Sequence, residues 1–268
     1  MKARHLSILV VAAVVVWMSC STVPITGRQQ LNLIADSEMM AMSFQQYDQF
    51  LEEADVVTGT AEAEMIKRCG RRIQQAVEEY FAQNNMSSHL NGYNWEFNLI
   101  ASDQVNAWCM PGGKVVIYSG ILPVTQDETG LAVVMGHEVA HAVAEHGNER
   151  MSQAMLQQLG ASALAVALQE KPQQTQALWM TVYGVGTQVG ALLPYSRLHE
   201  SEADRLGLIF MAMAGYDPRE AVDFWGRMAA QKGGQQPPEF LSTHPADETR
   251  IRKIQEHLPT ALNYYDEG

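Results

Sequence analysis

The sequence predicts an α+β fold, mostly helical, with a small β-sheet beside a buried helix that carries paired histidines. Three observations predict it. Runs with apolar residues three and four apart fill most of the chain. Three short strand-like segments crowd between residues 95 and 118, separated by Gly, Pro and polar residues. Directly after them comes an apolar, helix-compatible stretch, Val133-Val134-Met135-Gly136-His137-Glu138-Val139-Ala140-His141. With 268 residues and 47% hydrophobic composition, the chain can bury a sizeable core. A formal charge of −12 without any basic cluster excludes a nucleic-acid partner.

Lys2 and Arg4 stand ahead of an apolar run from Leu6 to Met18, followed by Ser19-Cys20. The run is shorter than the roughly 20 residues of a membrane span, so residues 1–20 read as a signal peptide. Cys20 resembles the acylated cysteine of bacterial lipoproteins, and the Ser21 that follows implies the outer membrane; an ordinary signal peptide cut near Ser19 is the alternative. Residues 21–35 read as an extended tether, and residues 36–268 as one domain. Cys69 and Cys109 either join in a disulfide, as an oxidising compartment allows, or remain buried thiols.

Asp36 and Ser37 start a helix that runs to about Glu53, and a second runs from near Thr60 to about Phe81. Trp95–Ala101, Val105–Met110 and Lys114–Tyr118 are the strands, the last two joined through Pro111-Gly112-Gly113. A sheet edge there suits a polypeptide bound as an added strand. The histidine helix runs from near Asp127 to His146-Gly147, with His146 a solvated end residue. Helices over Ser152–Leu168 and Thr175–Leu193 are Ala-, Leu- and Gly-rich enough to suggest a membrane span, but their interspersed Gln residues favour packed soluble helices. Asp217-Pro218 opens a helix to Ala230, Lys232–Pro238 is a Gly/Gln/Pro loop able to lie over a cleft, and Ala246–His257 closes the domain.

Residues four apart on a helix lie one above the other, so His137 and His141 present two imidazoles to one metal ion. Glu138 sits beside them, able to reach a water on that metal without ligating it. This composition yields about 0.02 chance occurrences of the pattern, and three polar groups in an apolar helix are costly unless something pairs them. Two histidines leave zinc one protein ligand short of a usual catalytic set. In Arg197–Gly207, positions Glu200, Ala203, Asp204 and Gly207 share one helix face, with small residues where close packing is needed. Glu200 is therefore the expected third ligand, and Asp204, one turn on, receives a ring N–H from a ligating histidine. His199 is a chemically able alternative that lies off that face.

These motifs, together with Ser242-Thr243-His244-Pro245 and Arg250, resemble the gluzincin metallopeptidases of the HtpX and CAAX-prenyl-protease family, closest to its periplasmic lipoprotein branch. The similarity covers about Pro24 to His257 and includes Pro24-Ile25-Thr26-Gly27-Arg28. Asn106-Ala107-Trp108 resembles that family's substrate-binding edge strand, with Trp108 where Phe is more usual. The resemblance implies a zincin-like metallopeptidase domain over residues 36–268, holding one zinc ion per chain through His137, His141 and Glu200. Glu138 would be the general base toward a zinc-bound water. His244 would either occupy the open metal position and hold the enzyme latent or assist catalysis, with Arg250 near that loop; a plain loop-to-helix cap is the simpler alternative for both. The implied activity is endopeptidase cleavage of misfolded or unassembled envelope proteins at the periplasmic face of the outer membrane, with a lipid anchor at Cys20. The competing readings are a chaperone-like quality-control binding protein with little proteolysis, and a zinc hydrolase acting on something other than peptides.

Overall fold

A computed structural model describes residues 20–23, 26–188, 193–231 and 238–265. The apolar run Leu6–Met18 and loop residues 232–237 lie outside them, as does the side chain of Cys20. In chain order the elements are β1 (Cys20–Thr22), β2 (Gln29–Leu31), α1 (Asp36–Glu53), β3 (Val56–Val57), α2 (Ala61–Gln83), β4 (Glu96–Ile100), β5 (Ala107–Met110) and β6 (Lys114–Tyr118). There follow α3 (Leu122–Thr125), α4 (Glu128–Val143), α5 (His146–Leu168), α6 (Gln173–Thr187), α7 (Leu193–Met213), α8 (Glu220–Ala230), α9 (Glu239–Thr243) and α10 (Glu248–Leu262). The α+β, mostly helical class matches the expectation. The described residues divide into two compact units, one drawn from within 1–36 and 145–199, the other from within 37–144 and 200–268, so that the boundary falls inside α7 between His199 and Glu200.

In the second unit, local chemistry sets the helix ends. Thr60 accepts a hydrogen bond from the Ala63 amide at 3.2 Å and starts α2, and Asp127 accepts from the Gly130 amide at 2.9 Å and starts α4. The sheet has the order β3-β4-β6-β5, with β4 and β6 parallel and the other two pairs antiparallel. The β5–β6 turn requires left-handed backbone at both Gly112 and Gly113, with φ of 86° and 87°. β3 was not expected: two residues pairing with the end of β4 are too short for any periodicity to register.

Helix α4 is the centre of this unit. Every residue from Gly130 to Val143 is buried, as expected of a helix that is apolar on all sides. Its surroundings include α2, β5, β6, α3 and α8, with Ile66, Ile73, Phe81, Ile117, Phe224 and Trp225 among the fully buried side chains. At Gly136 it meets α7 at Gly207 backbone to backbone. A Cβ on Gly207 would lie 2.8 Å from the His137 nitrogen and 2.9 Å from the Gly136 carbonyl carbon. Only hydrogen at both positions permits that approach.

The first unit joins β1 and β2, an antiparallel pair within the segment expected as a tether, to α5, α6 and the start of α7. Arg28 forms a two-pronged ion pair with Glu149 at 3.0 and 2.7 Å, Ser152 Oγ accepts from the Leu33 amide at 2.8 Å, and Asn148 donates to the Ile34 carbonyl at 2.8 Å. His146, expected at a solvated helix end, is instead fully buried and stacked on the His199 ring, 4.3 Å between centroids. Helix α4 stops sooner than its apolar run because Glu145 takes left-handed backbone, φ 58°, and α5 restarts at His146. Cys69 and Cys109 are both free thiols, so the disulfide expectation does not hold; Cys69 is buried on α2, and desolvation pushes its pKa up to about 12. Among the described residues, no helix is long and apolar enough to cross a membrane.

Replacing Gly207 with Ala inserts a methyl group against backbone that cannot swing aside. We expect Gly207→Ala to destabilise the metal-free protein by about 1–3 kcal/mol, the usual range for overpacking. Thermal denaturation should show a melting temperature lower by roughly 2–4 °C per kcal/mol.

Candidate metal centre

Because α4 and α7 touch at glycines, the side chains that flank the crossing on each helix are pressed together. His137 Nε2 lies 3.1 Å from His141 Nε2 and 3.4 Å from Glu200 Oε2, and His141 Nε2 lies 3.2 Å from Glu200 Oε1. His244, at the carboxyl end of α9, brings Nδ1 to 3.0 Å from His137 Nε2 and to 3.0 and 3.1 Å from the Glu200 oxygens. Ligand atoms of these four buried residues lie within 4.8 Å of one another.

That donor set fits zinc. A tetrahedral zinc ion with nitrogen about 2.0–2.1 Å away separates its ligands by roughly 3.3–3.4 Å, close to the spacings observed. Several nitrogen lone pairs and two carboxylate oxygens converging out of water are costly unless a cation sits among them.

Asp204 Oδ1 accepts from His137 Nδ1 at 2.9 Å, which leaves Nε2 free to face the cluster. Arg250 holds that carboxylate with two hydrogen bonds, from Nε at 2.9 Å and Nη2 at 2.7 Å, and its Nη1 lies 3.0 Å from Glu200 Oε2. The guanidinium sits 3.3 Å over the Trp225 ring, and Asp247 caps α10 by accepting from the Arg250 amide at 2.8 Å. Glu138 Oε1 is 3.3 Å from His244 Nε2. All of the residues expected around the metal, His137, Glu138, His141, Glu200, Asp204, His244 and Arg250, thus come together. His199, the alternative ligand, does not: its Nε2 is 2.8 Å from Glu149 Oε2 in the first unit.

The edge-strand residues divide by the strand's alternation. β5 ends the sheet order, and Asn106 leads into it by accepting from the Tyr118 amide at 3.1 Å. Ala107 is buried, and burial together with the Glu138 carboxylate pushes the Cys109 thiol up, so these two belong to the α4 side. Trp108 packs the other way, edge-on to Tyr47 and Phe50 at 6.1 and 5.1 Å between centroids. Sequence reasoning missed Trp225 and Phe240, which wall Arg250 and the His244 ring; an aromatic at helical spacing carries no signal that separates such a wall from ordinary core.

A family model described as Peptidase family M48 matches residues 68–258. The chain belongs to peptidase family M48. Relatives include the mitochondrial metalloendopeptidase OMA1 of Schizosaccharomyces pombe, 39% identical over 175 residues, which are 65% of this chain and 50% of that protein. The human mitochondrial metalloendopeptidase OMA1 is 29% identical over 248 residues, 89% of this chain and 46% of its own length. The beta-barrel assembly-enhancing protease of Escherichia coli is 32% identical over 171 residues, 61% of this chain and 35% of its own. The chain spans about half the length, or less, of these relatives. M48 relatives therefore come from mitochondria as well as from a bacterium.

Charge in this M48 centre is set by burial against pairing. Desolvation and the Arg250 charge oppose protonation of His137, yet the Asp204 and Glu200 carboxylates prevail and raise its pKa from 6.5 to about 9. Desolvation pushes the Glu200 and Asp204 carboxyls up, and their cationic neighbours more than reverse it: the histidines hold Glu200 far below the carboxylate range, and Arg250 with His137 lowers Asp204. Since the folded-state pKa of His137 is raised, its stabilisation of the metal-free protein is fully present below pH 6.5 and is lost as pH rises through about 9. Over the same window the proton that competes with metal leaves. We expect zinc affinity, measured by competition with a chromophoric chelator, to rise from pH 6.5 to 9 while the melting temperature of the chelated protein falls.

Proposed function

We propose that this chain is a zinc metalloendopeptidase that cleaves misfolded or unassembled proteins of the bacterial cell envelope. The convergence of His137, His141 and Glu200 beside Glu138 carries the reading. In it those three residues hold one zinc ion, which when bound supplies Lewis-acid activation of water and of the scissile carbonyl.

The chain's own groups do the rest. Glu138 takes the proton of the attacking water and passes it to the leaving amine. Asp204 keeps His137 in the Nδ1–H tautomer, and Arg250 keeps Asp204 ionised and aimed. The open edge of β5 aligns substrate as an added strand through main-chain hydrogen bonds, with Asn106, Ala107 and Trp108 fixing that edge. His244 is the gate: Nδ1 completes the donor set while Nε2 sits 3.3 Å from the base, so a substrate carbonyl enters only after the imidazole withdraws.

The Escherichia coli relative, named as a beta-barrel assembly-enhancing protease, supports an envelope setting. Residues 1–20 then serve as a lipoprotein signal, and Cys20 as the lipidated residue at the periplasmic face of the outer membrane.

The test uses denatured outer-membrane protein or casein, with and without chelator. Glu138→Gln should retain zinc in metal analysis yet lose cleavage by roughly 10²–10⁴-fold; undiminished proteolysis by that variant would refute the assignment. His244→Ala should raise the rate, whereas a fall would make His244 a catalytic group and end the gating role.

A further inference from the structure

We propose that α5 and α6 form a hairpin that lies against a lipid bilayer. Leu159 and Val166 on α5 and Leu178, Trp179, Val182 and Val185 on α6 are each more than half exposed, although the two helices pack on each other. Apolar exposure on this scale marks an interaction surface. Leu178, Val182 and Val185 recur at i, i+4 and i+7, one stripe along α6.

The contact between the two helices is built from the opposite chemistry. Tyr183 donates its hydroxyl to the Gln157 carbonyl at 3.1 Å, Gln157 donates to Thr187 Oγ1 at 2.9 Å, and a Cβ on Gly160 would collide with the Tyr183 hydroxyl at 2.1 Å. The groups that meet here are small or hydrogen-bonded, while six large apolar side chains are left facing outward. Helices packed in lipid are arranged this way, because apolar side chains gain nothing there by hiding from their surroundings.

Charge and attachment select the occupant. Between Met151 and Ser196 the only charged residues are Glu170 and Lys171, both in the turn between the helices, although 18% of the whole chain is charged. A protein partner is met by a polar, charged rim; a bilayer excludes charge. β1 begins at Cys20, one residue beyond the apolar run Leu6–Met18, and the β1–β2 segment is fastened to the root of α5 by the Arg28–Glu149 pair. The segment that reaches the membrane thus belongs to the same compact unit as the hairpin, an inference that rests on the anchoring reading above. Over the described residues neither helix is long and apolar enough to span, so the pair lies in the interface with Trp179 as an aromatic anchor.

The test is fluorescence of the full chain reconstituted in phosphatidylethanolamine–phosphatidylglycerol vesicles, with plain or brominated acyl chains. Emission of Trp179 is isolated by subtracting that of Trp179→Phe, and flotation on a density gradient reports anchoring separately. We expect the protein to float and Trp179 to lose most of its emission in brominated vesicles, a loss that Leu159→Glu/Val182→Glu reverses while flotation persists. Flotation without quenching of Trp179 overturns the hairpin proposal and leaves anchoring intact. Protein that stays in the aqueous fraction overturns both. Quenching equal in wild type and the double variant also overturns the hairpin, because the apolar stripe then plays no part.

Discussion

Two glycines carry the centre of this protein. With Gly136 and Gly207 in backbone contact, α4 and α7 approach more closely than any side chain would permit, and the residues flanking the crossing have no choice of partner. His137 follows Gly136 directly, while Asp204 and Glu200 lie about one and two turns before Gly207, so one crossing decides both the ligand set and the carboxylate behind it. Moving the helices apart by the width of a methyl group would lengthen every one of these distances together. The apolar shell of α4 fixes the crossing from outside, since a helix buried on all sides cannot slide without opening voids.

Electrostatics then accounts for the polar residues the shell admits. Asp204 and Glu200 are anionic groups out of water, and Arg250 is the cation that touches both. It is itself supported by the Trp225 face and by the cap at Asp247 that starts α10. A neutral residue at 250 would leave two carboxylates facing each other across buried imidazoles, the arrangement burial penalises most. The guanidinium therefore makes the site foldable before any metal arrives.

Much of this was legible because the relevant signals are local. Helix periodicity located α1 and α2, four-residue spacing paired His137 with His141, and the helix face shared by positions 200, 203, 204 and 207, with small residues at 203 and 207, chose Glu200 over His199. What was illegible is non-local. Nothing near Arg250 in sequence says that it will reach α7, and nothing near His146 says that a ring from another helix will bury it. The burial of His146 follows from the left-handed turn at Glu145, a backbone state that glutamate adopts rarely and that no composition rule anticipates. The apolar exposure of α5 and α6 was illegible for a related reason: Gln content argues against spanning a membrane, as the described residues bear out, but says nothing about which side chains face each other.

His199 and Glu200 sharpen the point, because adjacent residues on one helix enter two buried clusters made from the same residue types. Around Glu200 the imidazole nitrogens converge and the carboxylate oxygens are shared among them, so a cation has somewhere to sit. Around His199 the carboxylate of Glu149 is already taken by both arms of Arg28 and by His199 Nε2 at 2.8 Å, and the rings of His146 and His199 stack face to face. Each cluster holds an arginine, but Arg250 pairs two nitrogens with Asp204 and reaches Glu200 through a single one, whereas Arg28 takes both oxygens of Glu149. Ligand chemistry alone would allow either; four donor residues converging at the first, against a single carboxylate already claimed at the second, favour the first as the place for a cation.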